Sequence, residues 1–414
     1  MDTLPVYSHD SDGPPSYGNI QSSFHLKHRN NKPWATLKVQ SMARSSEGVP
    51  VFAQGGVISG TLVLELSRDA MREISIKVLG QFVQPISSER TVSPFESGPD
   101  VFLSFSQSIW SHDVSHSENT LDGKTEWPFA IPIDDLSPDH LPPSVRERNA
   151  SFGVRYELFV HIRRGLMRSD DRLGGVFEYL TASRPTPFSA LRQLAYETDV
   201  PIQGPDADPS GWKTLAPVKI EGSIFSNRDA HVTCTLSIAM PLIYTKGTAI
   251  PCYLVLGSPD KEVLDLLSSQ NAINIRLQRR VAWGVDRLTK YTGFDEKLYR
   301  NGALDYPGSA TWGPATFNGN TCTLDGEIQL SPRLAPSFVH GKFSIVYNIV
   351  IFPFAHSSFA PTGKGPALVH NVEIADLHGD GPHASQRFPP VSSSSSLEIP
   401  AASFNFAQVM DRSL

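Results

Sequence analysis

Regular alternation of apolar and polar residues is the feature that most limits how this chain can fold. In residues 72–83, "REISIKVLGQFV", polar residues separate Ile74, Ile76 and Val78, and residues 154–164, "VRYELFVHIRR", repeat the pattern. Because successive side chains point to opposite faces of a strand, such runs indicate β-strands that are buried on one face. Many short runs of this kind, separated by glycine and proline turns, predict antiparallel β-sandwiches.

The alternating runs form two groups, which do not match each other as a detectable sequence repeat. They lie in residues 33–183 and 218–375, and the proline-rich residues 184–217 separate them. Polar, turn-rich sequence occupies residues 1–32 and 376–414, where little apolar surface is available to form a core. We therefore predict an all-β protein with two consecutive immunoglobulin-like antiparallel β-sandwich domains, an interdomain linker, and disordered N- and C-terminal tails.

Three local features refine this prediction. Residues 260–270, "DKEVLDLLSSQ", have helical spacing of apolar residues and predict one short helix between strands. Trp212 stands where the linker re-enters folded structure, so we expect its ring to pack against a sandwich. Leu158 and Val160 fall on the apolar face of their strand, and we expect both to be buried.

The composition argues against several classes of protein. A net charge of −6 on 414 residues does not favour nucleic-acid binding, for which a strongly basic face is expected. Cys234, Cys252 and Cys322 are too few and too scattered for a disulfide framework or a zinc cluster, so we expect them to be buried. No secretory signal is visible, and no stretch approaches the roughly 20 apolar residues of a membrane span. These features predict a cytoplasmic protein.

The sequence also lacks the motifs that common enzymes require. It has no G-x-S-x-G nucleophile elbow, no P-loop and no G-x-G-x-x-G turn. His112 and His116 lie in a polar, turn-rich stretch without a helix to align them, and His378 and His383 lie in the predicted tail. We therefore predict that the protein is not an enzyme and holds neither a metal nor a cofactor.

The order of several segments resembles a known family. These segments are "GGVISGTLVLEL", "TEWPFAIPI", "LPPS" and "VRYELFVHIRR" in the first group, and "VKIEGSIF" and "INIRLQRRV" in the second. Together they resemble arrestin-like proteins, the α-arrestin branch in particular, over roughly residues 33–375. The resemblance implies the arrestin fold of two β-sandwiches, and an adaptor that is recruited to membrane cargo and itself recruits WW-containing HECT ubiquitin ligases.

The predicted N-terminal tail contains a PPxY motif, the pattern that WW domains bind. Pro14 and Pro15 favour the polyproline II conformation, so little entropy is lost on docking, and Tyr17 supplies a large, nearly rigid anchor. A degenerate second copy is formed by Leu4, Pro5 and Tyr7. In α-arrestins such motifs usually follow the second domain, whereas here they precede the first. The alternative is that these residues are ordinary polar tail.

Two groups of arginines are candidates for contact with acidic partners. They comprise Arg163, Arg164 and Arg168, with Arg146 and Arg148 nearby, and Arg276, Arg279 and Arg280. One interpretation is contact with the acidic cytoplasmic tails of membrane proteins or with an anionic lipid surface, at about 1 kcal/mol per well-placed cation. The other is that they are solvated strand edges, where charge discourages unwanted pairing.

The leading hypothesis is an arrestin-like scaffold that links membrane cargo, a transporter or receptor, to a HECT ubiquitin ligase and so promotes endocytosis. Such a protein would be cytoplasmic and would be recruited peripherally to the plasma membrane or endosomes. One alternative is a retromer-type sorting scaffold with the same fold but no ligase, in which the PPxY is accidental. A third hypothesis, a carbohydrate- or ligand-binding β-sandwich enzyme domain, would need a cleft with convergent carboxylates, which the sequence does not indicate.

Overall fold

The chain is described by a computed structural model that is nearly all β, as the alternation predicts. The described residues are 20–43, 45–66, 71–83, 100–111, 123–146, 153–164, 169–225, 227–283, 302–341, 343–384 and 387–388.

Among the described residues, ten strands form the first sandwich. They are β1 (Ile20–Lys27), β2 (Pro33–Ser41), β3 (Val51–Ala53), β4 (Val57–Leu66), β5 (Met71–Val83), β6 (Asp100–Ser111), β7 (Gly123–Pro132), β8 (Val145–Arg146), β9 (Gly153–Arg164) and β10 (Asp171–Leu180). One sheet has the order β1-β2-β4-β7, and the other has the order β3-β10-β9-β5-β6 with β8 beside β9. No strand of the described residues joins these two sheets, so side-chain packing holds the layers together.

The linker and the second sandwich follow. The helices are α1 (Ala190–Glu197) and α2 (Lys261–Leu267). The strands are β11 (Trp212–Thr214), β12 (Val218–Ile224), β13 (Arg228–Ala239), β14 (Ile243–Thr245), β15 (Ala249–Gly257), β16 (Ile275–Trp283), β17 (Gly302–Trp312), β18 (Thr316–Asn318), β19 (Thr321–Gln329), β20 (Phe338–His340), β21 (Phe343–Ile351), β22 (Phe359–Pro361) and β23 (Leu368–Ala375). Short 3-10 turns occur at Ile133–Asp135 and Pro209–Gly211.

The second sandwich differs from the first because its two layers share a strand. The N-terminal part of β17 pairs with β16, and its last three residues pair with β19. The described strands therefore form one hydrogen-bonded sheet in the order β14-β23-β21-β16-β17-β19-β15-β13-β12-β22. A strand that changes layer makes a corner, and β17 plays that part here.

Not every strand pair is antiparallel, which corrects the sequence-based prediction in one respect. In the first sandwich β3 runs parallel to β10, and in the second β14 runs parallel to β23. Each of these three-residue strands lies at the edge of its sheet and leads through a glycine turn into a long strand, β4 or β15. Three residues are too short to produce a recognisable alternation, so the pattern could not predict them.

The core predictions are confirmed. Ile76, Val78, Leu158 and Val160 are all almost fully buried between the layers of the first sandwich. The three cysteines are buried and free, as expected. Burial of this many apolar side chains, at about 25 cal/mol for each Å² removed from water, is the main term that favours the folded state.

Local predictions in the second half are also confirmed. Helix α2 begins after Asp260, whose carboxylate accepts hydrogen bonds from the N–H groups of Glu262 and Val263 at 3.0 and 3.4 Å. Its apolar side chains are buried. Trp212 is buried against the second sandwich, and its indole N–H donates to the carbonyl oxygen of Gln203 at 2.8 Å.

Three segments predicted as tail or linker contain more structure than expected. Strand β1 lies within residues 1–32, where Phe24 packs against the core although its neighbours are mostly polar. The predicted linker contains α1 and β11, because Ser189 caps the helix and β11 pairs with β13. The described residues of the C-terminal tail pack on the second sandwich: the buried carboxylate of Glu327 accepts from the backbone N–H of Phe388 at 3.0 Å.

Candidate functional site

The predicted WW ligand lies outside the described residues. Pro14, Pro15 and Tyr17 precede the first described residue, as do Leu4, Pro5 and Tyr7. The described chain begins at Ile20 in β1, which is an edge strand of its sheet. The motif is therefore covalently attached to the edge of the first sandwich.

The first group of arginines is tied into ion pairs at one end of β9. Arg163 donates to the carboxylate of Glu73 at 3.1 Å and has a side chain that is 54% exposed. Arg164 is mostly buried, donates to the carboxylate of Asp171 at 2.6 Å, and lies over the ring of Trp34. The two neighbours therefore differ, because Arg164 packs inward and Arg163 faces solvent. Arg168 and Arg148 lie outside the described residues, and Arg146 lies on β8, beside Gly153 at the opposite end of β9.

Sequence reasoning missed a buried carboxylate at the centre of β9. Glu157 occupies a position predicted to face solvent, yet it is 7% exposed. Its two oxygens accept from Arg155 and Arg172, and the guanidinium of Arg172 lies over the ring of Phe159, 3.6 Å from its centroid. A buried carboxylate is stable only when it is paired in this way. The signal available was a lone acid in a mostly apolar strand.

The second group of arginines lies on β16. Arg279 donates two hydrogen bonds to Asp305, from Nε to Oδ1 at 2.9 Å and from Nη2 to Oδ2 at 2.6 Å. Arg276 donates to the side-chain oxygen of Asn274 at 2.8 Å and has an exposed side chain. Arg280 is half-buried and also has an interaction partner. The three arginines therefore lie on one strand. Arg279 differs from Arg276 because its guanidinium is already bound to both oxygens of Asp305.

The two sandwiches meet at a polar cluster that sequence reasoning did not identify. Asp376 follows β23 and has a side chain that is only 2% exposed. Its carboxylate accepts from Lys246 Nζ at 2.6 Å and from Thr181 Oγ1 at 3.3 Å, and Thr181 follows the last strand of the first sandwich. The N–H of Leu377 donates to the carbonyl oxygen of Ser183 at 3.1 Å. Asp376 therefore joins the ends of both sandwiches.

A second contact between the sandwiches is made by aromatic rings. His340, at the end of β20, hydrogen-bonds through Nδ1 to the carbonyl oxygen of His140 at 3.1 Å. Its ring lies 5.3 Å from that of Phe102, and Phe82 lies 6.0 Å from Phe343 across the junction. Polar and aromatic contacts therefore both join the two sandwiches at this junction.

The described residues show little that could perform catalysis. Among them no group of three or more histidine, cysteine or acidic side chains could hold a metal ion. Burial raises the pKa of the Cys234 thiol to about 12, which disfavours the reactive thiolate. His112 and His116 lie outside the described residues, whereas the rings of His378 and His383 contact each other. Within the described residues no helix is long and apolar enough to span a membrane.

Comparison with known proteins identifies the first sandwich. Residues 44–177 match the family model described as "Arrestin (or S-antigen), N-terminal domain". These residues include the strands of the first sandwich that follow β2, from β3 to most of β10. Comparison with curated proteins finds no match for the chain. Arrestin-family proteins are non-enzymatic adaptors. The first sandwich is therefore an arrestin N-terminal domain, and this match supports the resemblance of the chain to arrestin-like proteins.

Proposed function

We propose that this protein is an adaptor that links membrane cargo to a WW-domain HECT ubiquitin ligase and so promotes cargo ubiquitination, endocytosis and trafficking. The cargo would be a transporter or receptor, and the protein would be recruited from the cytoplasm to the plasma membrane or to endosomes. The observation that carries the proposal is the PPxY motif attached to an arrestin N-terminal domain. The fold would hold the cargo, and the motif would hold the ligase.

The position of the motif supports a protein in which the fold holds the cargo and the motif holds the ligase. Tyr17 stands three positions before Ile20, the first residue of β1, and an extended chain of three residues spans at most about 10 Å. A WW domain bound to the motif would thus lie close to the sandwich edge. Such a short tether raises the effective concentration of the ligase at bound cargo.

The test is a calorimetric titration of the full chain with WW domains from a HECT ligase. Tyr17→Ala removes the aromatic anchor, so we expect affinity to fall at least about tenfold, which corresponds to about 1.4 kcal/mol. Tyr7→Ala is the matched control, for which we expect a smaller effect. Phosphorylation of Tyr17 should also weaken binding, since it adds about two negative charges to a ring that must enter an aromatic groove.

Two outcomes would count against the proposal. Equal binding by the wild type and Tyr17→Ala, or no binding by either, would exclude a ligase-recruiting role for this motif. A scaffold of the retromer type, which shares the fold but recruits no ligase, would then be the better hypothesis. The thermal stability of both tyrosine variants should equal that of the wild type if the motif acts only as a ligand.

For cargo contact we favour the exposed arginines of the two groups. Arg163 and Arg276 present exposed guanidinium groups, whereas Arg164 and Arg279 are committed to carboxylates inside the fold. We expect Arg163→Ala to weaken binding to an acidic cytoplasmic tail peptide or an anionic vesicle by about 1 kcal/mol. Both interactions should weaken further at high salt. If the double variant of Arg163 and Arg276 binds both ligands like the wild type, these arginines are not cargo contacts.

A further inference from the structure

The C-terminal segment supplies the hydrogen-bond donors of a buried carboxylate on β19. Glu327 is 3% exposed, and its oxygens accept from the backbone N–H of Arg387 at 3.2 Å and from that of Phe388 at 3.0 Å. Among the described residues no other group donates to this carboxylate. Because a carboxylate covered from water needs such partners, the second sandwich depends on this segment to satisfy one of its own charges.

The two N–H groups can reach one carboxylate because the chain bends at Phe388. Successive backbone N–H groups that point into one concavity form a nest, which is a common binding site for an anion. Here the nest belongs to Arg387 and Phe388, and the anion is the side chain of Glu327. The contact is therefore a recognition of backbone shape by a fixed charge on the strand.

Two further polar side chains of β19 face the same segment. Asp325 and Gln329 stand two positions before and after Glu327, so all three share one face of the strand. Nε2 of Gln329 donates to the carbonyl oxygen of Phe388 at 2.6 Å. Partial burial raises the pKa of Asp325, and the positive charge of Arg387 acts against that shift. The strand thus offers two acidic groups and one amide donor to the segment.

The linker and the residue after β17 complete the site. Nη2 of Arg387 donates to the carbonyl oxygen of Val200 in the linker. The ring of Phe388 lies against Gly313, where an added Cβ would be only 3.2 Å from a ring carbon. The absence of a side chain at Gly313 therefore leaves room for an aromatic ring. The site contacts both side chains of the Arg-Phe pair as well as its backbone.

The pair that occupies this site is not part of the β framework. The last described strand, β23, ends at Ala375, and Arg387 and Phe388 belong to no strand. Their removal would therefore break no strand pairing. Two backbone N–H groups, a carbonyl oxygen, a guanidinium and an aromatic ring are groups that a peptide of another protein can also present. The two acidic side chains of the site favour a cationic ligand.

We propose that the outer face of β19 is a recognition site for a peptide that presents an Arg-Phe pair at a bend, and that a partner protein carrying this pair exchanges with residues 387–388. The resident pair is then a ligand within the chain, and the partner supplies the same ligand from outside. Proline is excluded at both positions, because each residue must donate a backbone N–H. The inference does not depend on the adaptor role, since it involves neither the PPxY motif nor the first sandwich.

The experiment titrates a fluorescent peptide with the sequence of residues 383–392 against the full chain and follows its anisotropy. The wild type should bind weakly, because the resident pair is tethered and competes at high effective concentration. The full-chain double variant Arg387→Ala, Phe388→Ala weakens the resident pair, so it should bind the peptide at least about tenfold more tightly. Glu327→Gln, added to the double variant, should reverse this gain, because the amide lacks the charge that the two N–H groups bind.

Glu373→Gln, the same change at an exposed position of β23, is the matched control and should leave peptide binding unaltered. If Glu327→Gln does not fold, Gln329→Ala replaces it and should also weaken binding, through loss of the donor to the peptide carbonyl. Equal affinity of the wild type and the double variant would overturn the proposal. So would binding that survives Glu327→Gln, or equal binding of a peptide in which alanine replaces both arginine and phenylalanine. Wild-type dimers that Phe388→Ala dissociates would assign the outside ligand to a second copy of the chain and exclude the partner.

Discussion

The two sandwiches close their last strands with the same device, although their sequences show no overall repeat. In the first, Ser144 of "LPPS" donates its N–H to the carbonyl oxygen of Tyr179 at 2.9 Å, and its hydroxyl accepts from the N–H of Tyr179 at 2.9 Å. In the second, Ser337 of "LAPS" makes the same two bonds with Ile374, both at 2.8 Å. Tyr179 lies in β10 and Ile374 in β23, the last strand of each sandwich.

A buried tyrosine completes the device in each sandwich. The hydroxyl of Tyr156 donates to the carbonyl oxygen of Pro142 at 2.6 Å, and that of Tyr347 donates to the carbonyl oxygen of Ala335 at 2.7 Å. Each carbonyl stands two residues before the serine. We call this arrangement, L-x-P-S with its tyrosine, the LxPS lock. It pins a proline-rich loop to the edge where the short parallel strand, β3 or β14, is added.

What differs is how the layers are joined. The first sandwich has two separate sheets, whereas β17 connects the layers of the second by backbone hydrogen bonds. The same lock therefore serves two topologies, which indicates that it stabilises the terminal edge and not the layer connection. Layer cohesion should depend on core side chains alone in the first sandwich, and also on the corner strand in the second. Four predictions test this contrast.

The largest loss of stability should come from a substitution in the corner strand β17. Trp312 is 2% exposed and ends β17, where its ring leaves no room for a side chain at Gly326: an added Cβ would lie 2.4 Å from the ring. Trp312→Ala should cost about 3–5 kcal/mol of unfolding free energy. Hydrogen exchange should rise mainly in β17 and β19. Val339→Ala, at an exposed position of β20, is the control, and equal loss of protection in the first sandwich would contradict a local corner role.

The next largest loss of stability should come from the core of the first sandwich, whose two layers are not joined by a corner strand. Val160 is fully buried on β9, and Val160→Ala should cost about 2–3 kcal/mol from lost transfer energy and a residual cavity. Val232→Ala is the matched change on β13 of the second sandwich. We expect urea unfolding followed by hydrogen exchange to place each loss in its own sandwich. If both variants destabilise both sandwiches equally, the two bodies unfold as one unit.

These comparisons show what alternation can and cannot predict. It identified the long strands and the burial of Val160, because period 2 follows directly from strand geometry. It missed the buried carboxylate of Glu157, since burial of a charge depends on partners such as Arg172, which lies on the neighbouring strand. It also missed the LxPS lock, whose serine hydrogen bonds join residues more than thirty positions apart, such as Ser144 and Tyr179.

Removal of the tyrosine hydroxyl from each LxPS lock should cause a smaller loss of stability, equal in the two sandwiches. Tyr156→Phe and Tyr347→Phe remove the hydroxyl donors to the carbonyl oxygens of Pro142, which is buried, and Ala335, which is half-buried, at a cost of about 1–2 kcal/mol each. The two losses should agree within about 0.5 kcal/mol if the locks are equivalent. Urea midpoints of the two variants and of Tyr306→Phe, which lacks such a lock, provide the measurement. A loss in one sandwich at least twice that in the other would show that topology changes the role of the lock.

The smallest effect should be a dependence on pH that originates in the second sandwich. His370 lies on β23, and burial, with a contribution from Lys213, lowers its pKa. Burial also lowers the pKa of His378, with His383 adding to the shift. A histidine in the unfolded chain binds a proton near pH 6.5, whereas these folded histidines resist protonation until the pH is lower. The unfolded state therefore binds more protons as the pH falls below about 6.5, and stability should decrease in that direction.

His370→Gln should reduce part of this dependence of stability on pH. In the wild type, the loss of stability at low pH should appear in hydrogen-exchange probes of β21 and β23. An unchanged slope in the variant would assign the effect to other groups, because a lowered histidine pKa can act on stability only through the proton that it excludes.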